Sequence, residues 1–181
     1  MANILTGIYN AVDPFRPLEP GDPASEQFVS EYQALLNGLR RTQGFGLFFV
    51  ECEPDTSQYL VQRIQADLGD QTIVELDMGL LAQNGGLFKT IKPIWLTGRQ
   101  IDIVLMPELE QALTRKADQA AIPPLLVQLN QQREAFRDGF AARFVLLGCP
   151  TAITQLMRQA PDFFDWRSGF FRFQNPQIWC C

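Results

Sequence analysis

The chain has no histidine among its 181 residues. Histidine is the usual general base at neutral pH and the commonest transition-metal ligand. Its absence excludes histidine-dependent catalytic triads and leaves sulfur or carboxylate groups as the candidate metal ligands. The four cysteines, Cys52, Cys149, Cys180 and Cys181, show no CxxC spacing. We interpret them as thiols and not as a disulfide framework.

The sequence also lacks long apolar runs and an excess of positive charge. Its longest apolar candidate, Phe45 to Val50, is strand-sized and far below the ~20 residues that span a bilayer. The N-terminus has neither the basic nor the apolar part of a signal peptide. A net charge of -5 and a pI near 4.7 argue against general binding of nucleic-acid backbones. We therefore expect a cytoplasmic protein without a membrane span.

Hydrophobic residues make up 46% of the chain, enough for one sizeable core. Residues 1–24 are rich in proline and other turn formers, which predicts an extended arm packed on the domain. The domain itself is predicted over residues 25–175, followed by a short tail at 176–181. The role of Cys180 and Cys181 in that tail stays open.

Segments with helical spacing alternate with short apolar runs. Between Gly79 and Gly98 the pattern predicts only a short helix and a loop. The other predicted helices are Ser25–Arg41 with Ser25 as N-cap, one through Leu60 and Leu68, Glu108–Ala117, one that starts at Pro123-Pro124 and continues to Phe136 or Arg137, and Thr151–Gln159. The predicted strands are Leu47–Val50, Thr72–Met78, Ile101–Met106, Phe144–Leu147 and Phe170–Phe173. This alternation predicts an α/β fold, a three-layer doubly wound sheet of about five mainly parallel strands.

The turn after the first strand is where such a sheet would hold a phosphate group. A P-loop there reads GxxxxGK[ST], because glycines let amides approach the phosphate, lysine neutralises charge and the hydroxyl holds magnesium. Here the turn reads Cys52-Glu53-Pro54-Asp55-Thr56-Ser57, without glycine or lysine. Its two carboxylates would repel a triphosphate, although Thr56 or Ser57 could be a relic of the magnesium ligand. We predict that Asp55 or a neighbour caps the helix, and we predict no catalytic residue, cofactor or metal.

Three other features could be mistaken for parts of a ligand site. The segment Gly85-Gly86-Leu87-Phe88-Lys89-Thr90 imitates half a P-loop, but phenylalanine stands where glycine is needed, so we interpret it as a mobile loop with a solvated lysine. Glu108 and Glu110 are expected to be first-turn helix acids. Cys52 and Cys149 follow the first and fourth strands, which are neighbours in the P-loop order five-one-four-three-two. They are either buried thiols or, alternatively, a redox pair or shared metal site.

The aromatic segment from Pro161 to Gly169 precedes the fifth strand, at the end of the sheet opposite the ligand site. Two interpretations are open. The favoured one is a buried hydrophobic corner in which Arg167 pairs with Asp162 or Asp165. The other is a docking surface for a protein partner, because aromatic residues and arginine dominate interface hot spots. The candidate interaction residues are Arg133, Arg137, Phe163, Phe164, Trp166 and Arg167.

Four segments together resemble a family of bacterial proteins that is frequent in cyanobacteria. They are Pro17–Pro23, Gly44–Cys52, Leu129–Phe136 and Ala160–Phe170. The family has degenerate P-loop NTPase-like domains of the STAND or AAA type, usually placed before helical repeats of the TPR type. The resemblance implies a nucleotide-binding fold used in signalling, conflict or assembly, often without an intact Walker motif. No catalytic residue carries over, because this chain has no matching catalytic motif.

These observations predict a non-catalytic interaction or regulatory domain with a protein partner and without bound nucleotide. The first alternative is a nucleotide sensor or NTPase with a nonstandard site, completed by another subunit. The second alternative is a thiol-based redox sensor that uses Cys52 and Cys149.

Overall fold

A computed structural model of the chain describes residues 23–83, 87–113 and 123–173. The predicted arm up to residue 22, Gly85, Gly86 and the predicted tail lie outside these ranges. Every helix within them is too short or too polar to span a bilayer.

Five parallel strands form one sheet. They are β1 (Gly46–Cys52), β2 (Ile73–Glu75), β3 (Ile103–Met106), β4 (Arg143–Gly148) and β5 (Gly169–Phe173). Their spatial order is β5-β1-β4-β3-β2. This is the P-loop order that was considered above for Cys52 and Cys149, and the predicted fold class is confirmed.

Helices connect the strands and cover the sheet. Within the described residues they are α1 (Pro23–Arg41), α2 (Pro54–Asp67), α3 (Met78–Gln83), α4 (Leu87–Trp95), α5 (Leu109–Leu113), α6 (Pro124–Gln131), α7 (Arg133–Gly139), α8 (Pro150–Gln159) and α9 (Pro161–Asp165).

The core has two halves, one on each face of the sheet. Alternate side chains of a strand point to opposite faces, so Phe48 and Val50 pack with α1 and α2. Leu47 and Phe49 pack on the other face with residues of α3 to α9. Since both faces are covered, β1, β3 and β4 consist mostly of apolar residues with little polar alternation, which is why the sequence reveals them as apolar runs.

Several predicted boundaries are wrong. Helix α1 begins at Pro23, so Ser25 lies inside the helix and is not its N-cap; proline is well tolerated in a first helical turn. The predicted strand Thr72–Met78 is reduced to the three residues of β2, and Met78 already belongs to α3. Among the described residues, β2 pairs only with β3, at the edge of the sheet.

Two predicted single elements are each divided. The helix predicted from Pro124 to Arg137 breaks at Gln132 (φ -102°, ψ 13°) into α6 and α7. The segment from Gly79 to Gly98 contains a second helix, α4, with Pro93 inside it. Lys89 is therefore helical and not part of a loop, although its side chain is exposed as expected.

Candidate functional site

The turns at the carboxyl end of the sheet are too short to form a phosphate cradle. A single residue, Glu53, separates β1 from α2, and a single residue, Cys149, separates β4 from α8. Both helices begin with proline, which has no N–H to offer a phosphate. Thr56 and Ser57 are buried, so neither hydroxyl is presented at this edge.

The predicted side-chain cap of α2 is wrong. Glu53 occupies the N-cap position in extended conformation and makes no side-chain cap hydrogen bond. Pro54 removes one of the amide donors that a cap would otherwise satisfy. Asp55 lies within the first turn, where its negative charge meets the positive end of the helix dipole.

A carboxylate of the chain itself occupies the start of α8. Glu110 lies in the first turn of α5, as predicted. Its Oε2 also accepts a hydrogen bond of 3.1 Å from the backbone N–H of Cys149, the N-cap residue of α8. A helix N-terminus attracts anions through its free amides and its dipole. Glu110 therefore fills, from within the chain, a position that an anionic ligand would use.

Gly148 allows this close approach. A Cβ atom built on Gly148 would lie 2.9 Å from Leu109 Cβ and 3.4 Å from Glu110 Oε2. The first distance is shorter than real side chains tolerate, so only glycine lets α5 pack against the end of β4. The sequence signal for this contact was the Gly148-Cys149-Pro150 triplet, which gives no indication of the partner helix.

Glu108 has a backbone φ of 56°, in the left-handed region that non-glycine residues rarely adopt. It follows Pro107 and immediately precedes α5, and its carboxylate accepts a hydrogen bond from the side chain of Gln111. The turn thereby directs α5, and with it Glu110, towards the end of β4. This hydrogen bond lies within the turn of Glu108 itself and does not involve the turns after β1 or β4.

The two thiols at this edge differ in their surroundings. Cys52 is buried, and Cys149 is half-buried. Burial, together with the negative charge of Glu110, raises the pKa of Cys52 to about 12, although the Ser57 hydroxyl offsets part of this shift. Cys52 is therefore a thiol and not a nucleophilic thiolate at neutral pH. In the described part of the chain, no three His, Cys, Asp or Glu side chains come together as a metal site.

The six candidate interaction residues lie together at the amino end of the sheet, and we call them the arginine–tryptophan corner. Gly169 of β5 pairs with Phe48, so the segment before it lies beside the start of β1. Ser168 fixes this position, because its N–H donates to Leu47 O at 2.6 Å and its Oγ accepts from Leu47 N at 3.2 Å.

Trp166 is the centre of this corner. Its half-buried ring lies below two guanidinium groups of α7, with Arg137 at 4.9 Å and Arg133 at 5.9 Å from the ring centroid. Arg133 is held in turn by a 2.6 Å hydrogen bond to Asn130 O and by Asp162 at 3.7 Å. The Arg137 side chain keeps 49% of its surface exposed.

Phe163 and Phe164 are core residues. They are 0% and 7% exposed, and both rings contact Phe49 of β1. This is the arrangement expected of a hydrophobic corner. Neither ring is available to a partner, so any contact surface here consists of Trp166 and the arginines.

Arg167 lies on the other side of the same aromatic pair. Its guanidinium is 4.7 Å from the Phe164 ring centroid and 3.4 Å from Asp165 Oδ1. Of the two acidic partners predicted for Arg167, Asp165 is thus the one observed, while Asp162 pairs with Arg133.

Asn130 was missed as a connecting residue. Its Oδ1 accepts a hydrogen bond of 3.2 Å from Phe163 N, and its Nδ2 donates to Asp162 at 3.4 Å. These contacts join the end of α6 to α9. The break between α6 and α7 comes two residues later, at Gln132. It could not be predicted from the sequence, because the apolar spacing continues to Phe136.

No protein-family model matches the chain, and no curated protein sequence matches it. Two solved structures of the Aeropyrum pernix ORC2 protein are similar in fold. The ADP form has 13% identity and a TM-score of 0.43, over 81% of this chain and 47% of that one. The ADPNP-ADP complexes have 12% identity and a TM-score of 0.39, over 82% and 46%. The chain thus spans just under half of either structure, and this likeness is too low to bear on function.

Proposed function

We propose that this chain is a non-catalytic, P-loop-NTPase-like domain that binds a protein partner in a bacterial signalling, conflict or assembly system. We place it in the cytoplasm, among the degenerate STAND- or AAA-like domains of cyanobacteria that precede TPR-type repeats. The observation that carries the proposal is the contact between Glu110 and the amide of Cys149, at the end of the sheet where a nucleotide would bind.

Charge and space both argue against a triphosphate at this end. Glu53 and Asp55 follow β1, and Glu110 of α5 contacts the turn after β4, so a triphosphate at this end would be repelled by three carboxylates. One-residue turns also leave no loop whose amides could surround a phosphate.

The arginine–tryptophan corner supports a protein contact at the opposite end. Arginine and tryptophan are the residue types most enriched in interface hot spots. Trp166 is held between α7 and α9 by cation–π contacts of about 0.5–1 kcal/mol each at exposed sites. A surface that is already ordered loses little side-chain entropy when it binds.

The nucleotide alternative is tested by calorimetric titration of the chain with ATP and with GTP, each with magnesium. We expect no binding heat. A dissociation constant in the micromolar range would contradict the proposal and favour the nucleotide-sensor alternative. If binding appeared only with a second subunit present, the site would be one completed by a partner.

The protein contact is tested by affinity purification of the chain from its native cells. We expect a partner that is lost when Trp166 and Arg167 are both replaced by alanine. The matched control is Arg158→Ala, since Arg158 is an exposed arginine on α8 outside the corner. Retention of the partner by the Trp166→Ala/Arg167→Ala variant, with an unchanged circular dichroism spectrum, would exclude this surface.

A further inference from the structure

The segment from Met78 to Ile101 is a basic region in an acidic protein. It contains Lys89, Lys92 and Arg99 but none of the 20 acidic residues of the chain. Two of the three lysines in the whole sequence therefore lie three residues apart on helix α4. The nearest acid after the segment is Asp102. Its Oδ1 forms an ion pair with Arg143 at 4.0 Å, and its Oδ2 accepts a hydrogen bond of 2.8 Å from Thr72 N.

The end of the same helix presents an apolar tip. Leu96 is 75% exposed, the largest exposure of the three exposed large hydrophobic residues in the described chain. Trp95 beside it is half-buried, with its ring 5.1 Å from Phe140. Lys89, Lys92 and Leu96 stand at i, i+3 and i+7, so helical geometry places the two cations and the leucine on one exposed face.

The backbone at this tip is already hydrogen-bonded internally. Leu96 N donates to Lys92 O at 2.9 Å, Thr97 Oγ1 to Ile94 O at 2.7 Å, and Gly98 N to Trp95 O at 3.2 Å. Gly98 has a φ of 72°, the left-handed conformation that closes a helix end in this way. These carbonyls therefore need less water, which lowers the cost of placing the tip in a less polar environment.

We infer that this tip, formed by Lys89, Lys92, Trp95, Leu96 and Arg99, docks onto the surface of an anionic lipid bilayer. Leucine and tryptophan insert at the headgroup boundary of peripheral proteins, while neighbouring cations are attracted to anionic lipids. The positive tip complements such a surface, although the chain as a whole carries a charge of -5.

The type of cation distinguishes this tip from the arginine–tryptophan corner. Protein interfaces are enriched in arginine and depleted in lysine. The corner uses Arg133, Arg137 and Arg167, whereas helix α4 presents Lys89 and Lys92. Neither Lys89 nor Arg99 has an ion-pair partner among the described residues. The observations therefore favour lipid for the tip and protein for the corner.

The test is co-sedimentation of the full chain with vesicles of phosphatidylcholine, alone or mixed with phosphatidylglycerol. We expect binding to the mixed vesicles only, and weaker binding as salt is raised. Lys89→Gln/Arg99→Gln should lower the partition coefficient about 25-fold, at about fivefold per cation. Leu96→Asp should lower it by about tenfold or more.

The matched control is Val29→Asp, because Val29 is a 48% exposed apolar residue on α1, outside the tip. This variant should bind the mixed vesicles like the unmodified chain. Since Leu96 is so exposed, Leu96→Asp should leave the thermal unfolding curve unchanged. Failure of the unmodified chain to sediment with mixed vesicles would overturn the inference, and so would equal binding by Leu96→Asp. Capture of an acidic protein through Leu96 without vesicle binding would assign the tip to a protein and also overturn it.

Discussion

The two ends of the sheet differ in what their side chains contact. At the carboxyl end, Glu110 accepts a hydrogen bond from the amide of Cys149, and Cys52 is buried. At the amino end, Trp166 and Arg137 contact each other but remain partly exposed. The first arrangement leaves little for a ligand to bind, and the second leaves an ordered surface.

This difference has a simple origin in the lengths of the turns. Ligands of parallel sheets bind where the loops after the strands diverge, and here β1 and β4 each continue into a helix after one residue. On the opposite end, the chain uses α7, α9 and the segment around Ser168 to cover the starts of β1 and β4. Side chains of several elements meet there, so that end can present a composite surface.

The largest expected effect on stability comes from the buried part of the arginine–tryptophan corner, and it can be compared with the effect of changing the exposed part. Phe163→Ala should lower the free energy of unfolding by about 3–5 kcal/mol, because it removes a ring that is 0% exposed and leaves a cavity. Trp166→Ala should cost about 2 kcal/mol, since it loses two cation–π contacts and a half-buried ring. Urea unfolding measures both. Similar losses for the two variants would show that Trp166 is a core residue and weaken its role as a contact.

The next effect concerns the close packing at the carboxyl end. Gly148→Ala should destabilise the protein by about 1–3 kcal/mol, because its Cβ would lie 2.9 Å from Leu109 Cβ. The control is Gly69→Ala, where the nearest atoms are 3.7 Å away and no strain is expected. Thermal unfolding of both variants gives the comparison. If Gly148→Ala were as stable as Gly69→Ala, α5 would not pack tightly enough to hold Glu110 in place.

The strands were predictable from sequence, and the composition of the carboxyl end only in part. Segments such as Leu47–Val50 are buried on both faces of the sheet and therefore consist of consecutive apolar residues. Such a run can be recognised without knowing which elements pack on the strand. The absence of a phosphate-binding loop could also be predicted, because it depends on the three consecutive residues Glu53, Pro54 and Asp55. The contact of Glu110 with Cys149 joins residues 39 positions apart, and no spacing rule indicates it.

The amino end shows the same limit. The aromatic segment before β5 predicts burial, and Phe163 and Phe164 confirm it. The stacking of Arg137 on Trp166 depends on the break at Gln132, which reorients α7 although the apolar spacing continues. Local propensity cannot locate that break, because the contacts of Asn130 with α9 lie across the fold.

A smaller effect should follow from removing the charge that closes the carboxyl end. Glu110→Gln keeps the shape of the side chain but loses its charge-assisted bond to Cys149 N, and should cost about 0.5–1 kcal/mol. Glu26→Gln is the control, as Glu26 is an exposed acid in the first turn of α1. Urea unfolding at low salt measures both variants. Equal and negligible losses would mean that the Glu110 contact contributes no stability.

The smallest expected effect comes from the ionisation of Cys52, which tests whether water reaches the carboxyl end of the sheet. Burial raises the pKa of this thiol from 9.0 to about 12, so the folded protein retains a proton that the unfolded chain loses. Its contribution to stability is complete below pH 9.0 and is lost progressively as the pH rises towards 12. Between neutral pH and pH 9, the free energy of unfolding should fall by about 0.5 kcal/mol more for the unmodified protein than for Cys52→Ala. Urea unfolding of both proteins under reducing conditions measures this difference. The control is Cys149→Ala, which retains Cys52 and should show the same pH dependence as the unmodified protein. A difference independent of pH would mean that Cys52 ionises as readily in the folded state as in the unfolded chain, and that water reaches this end of the sheet.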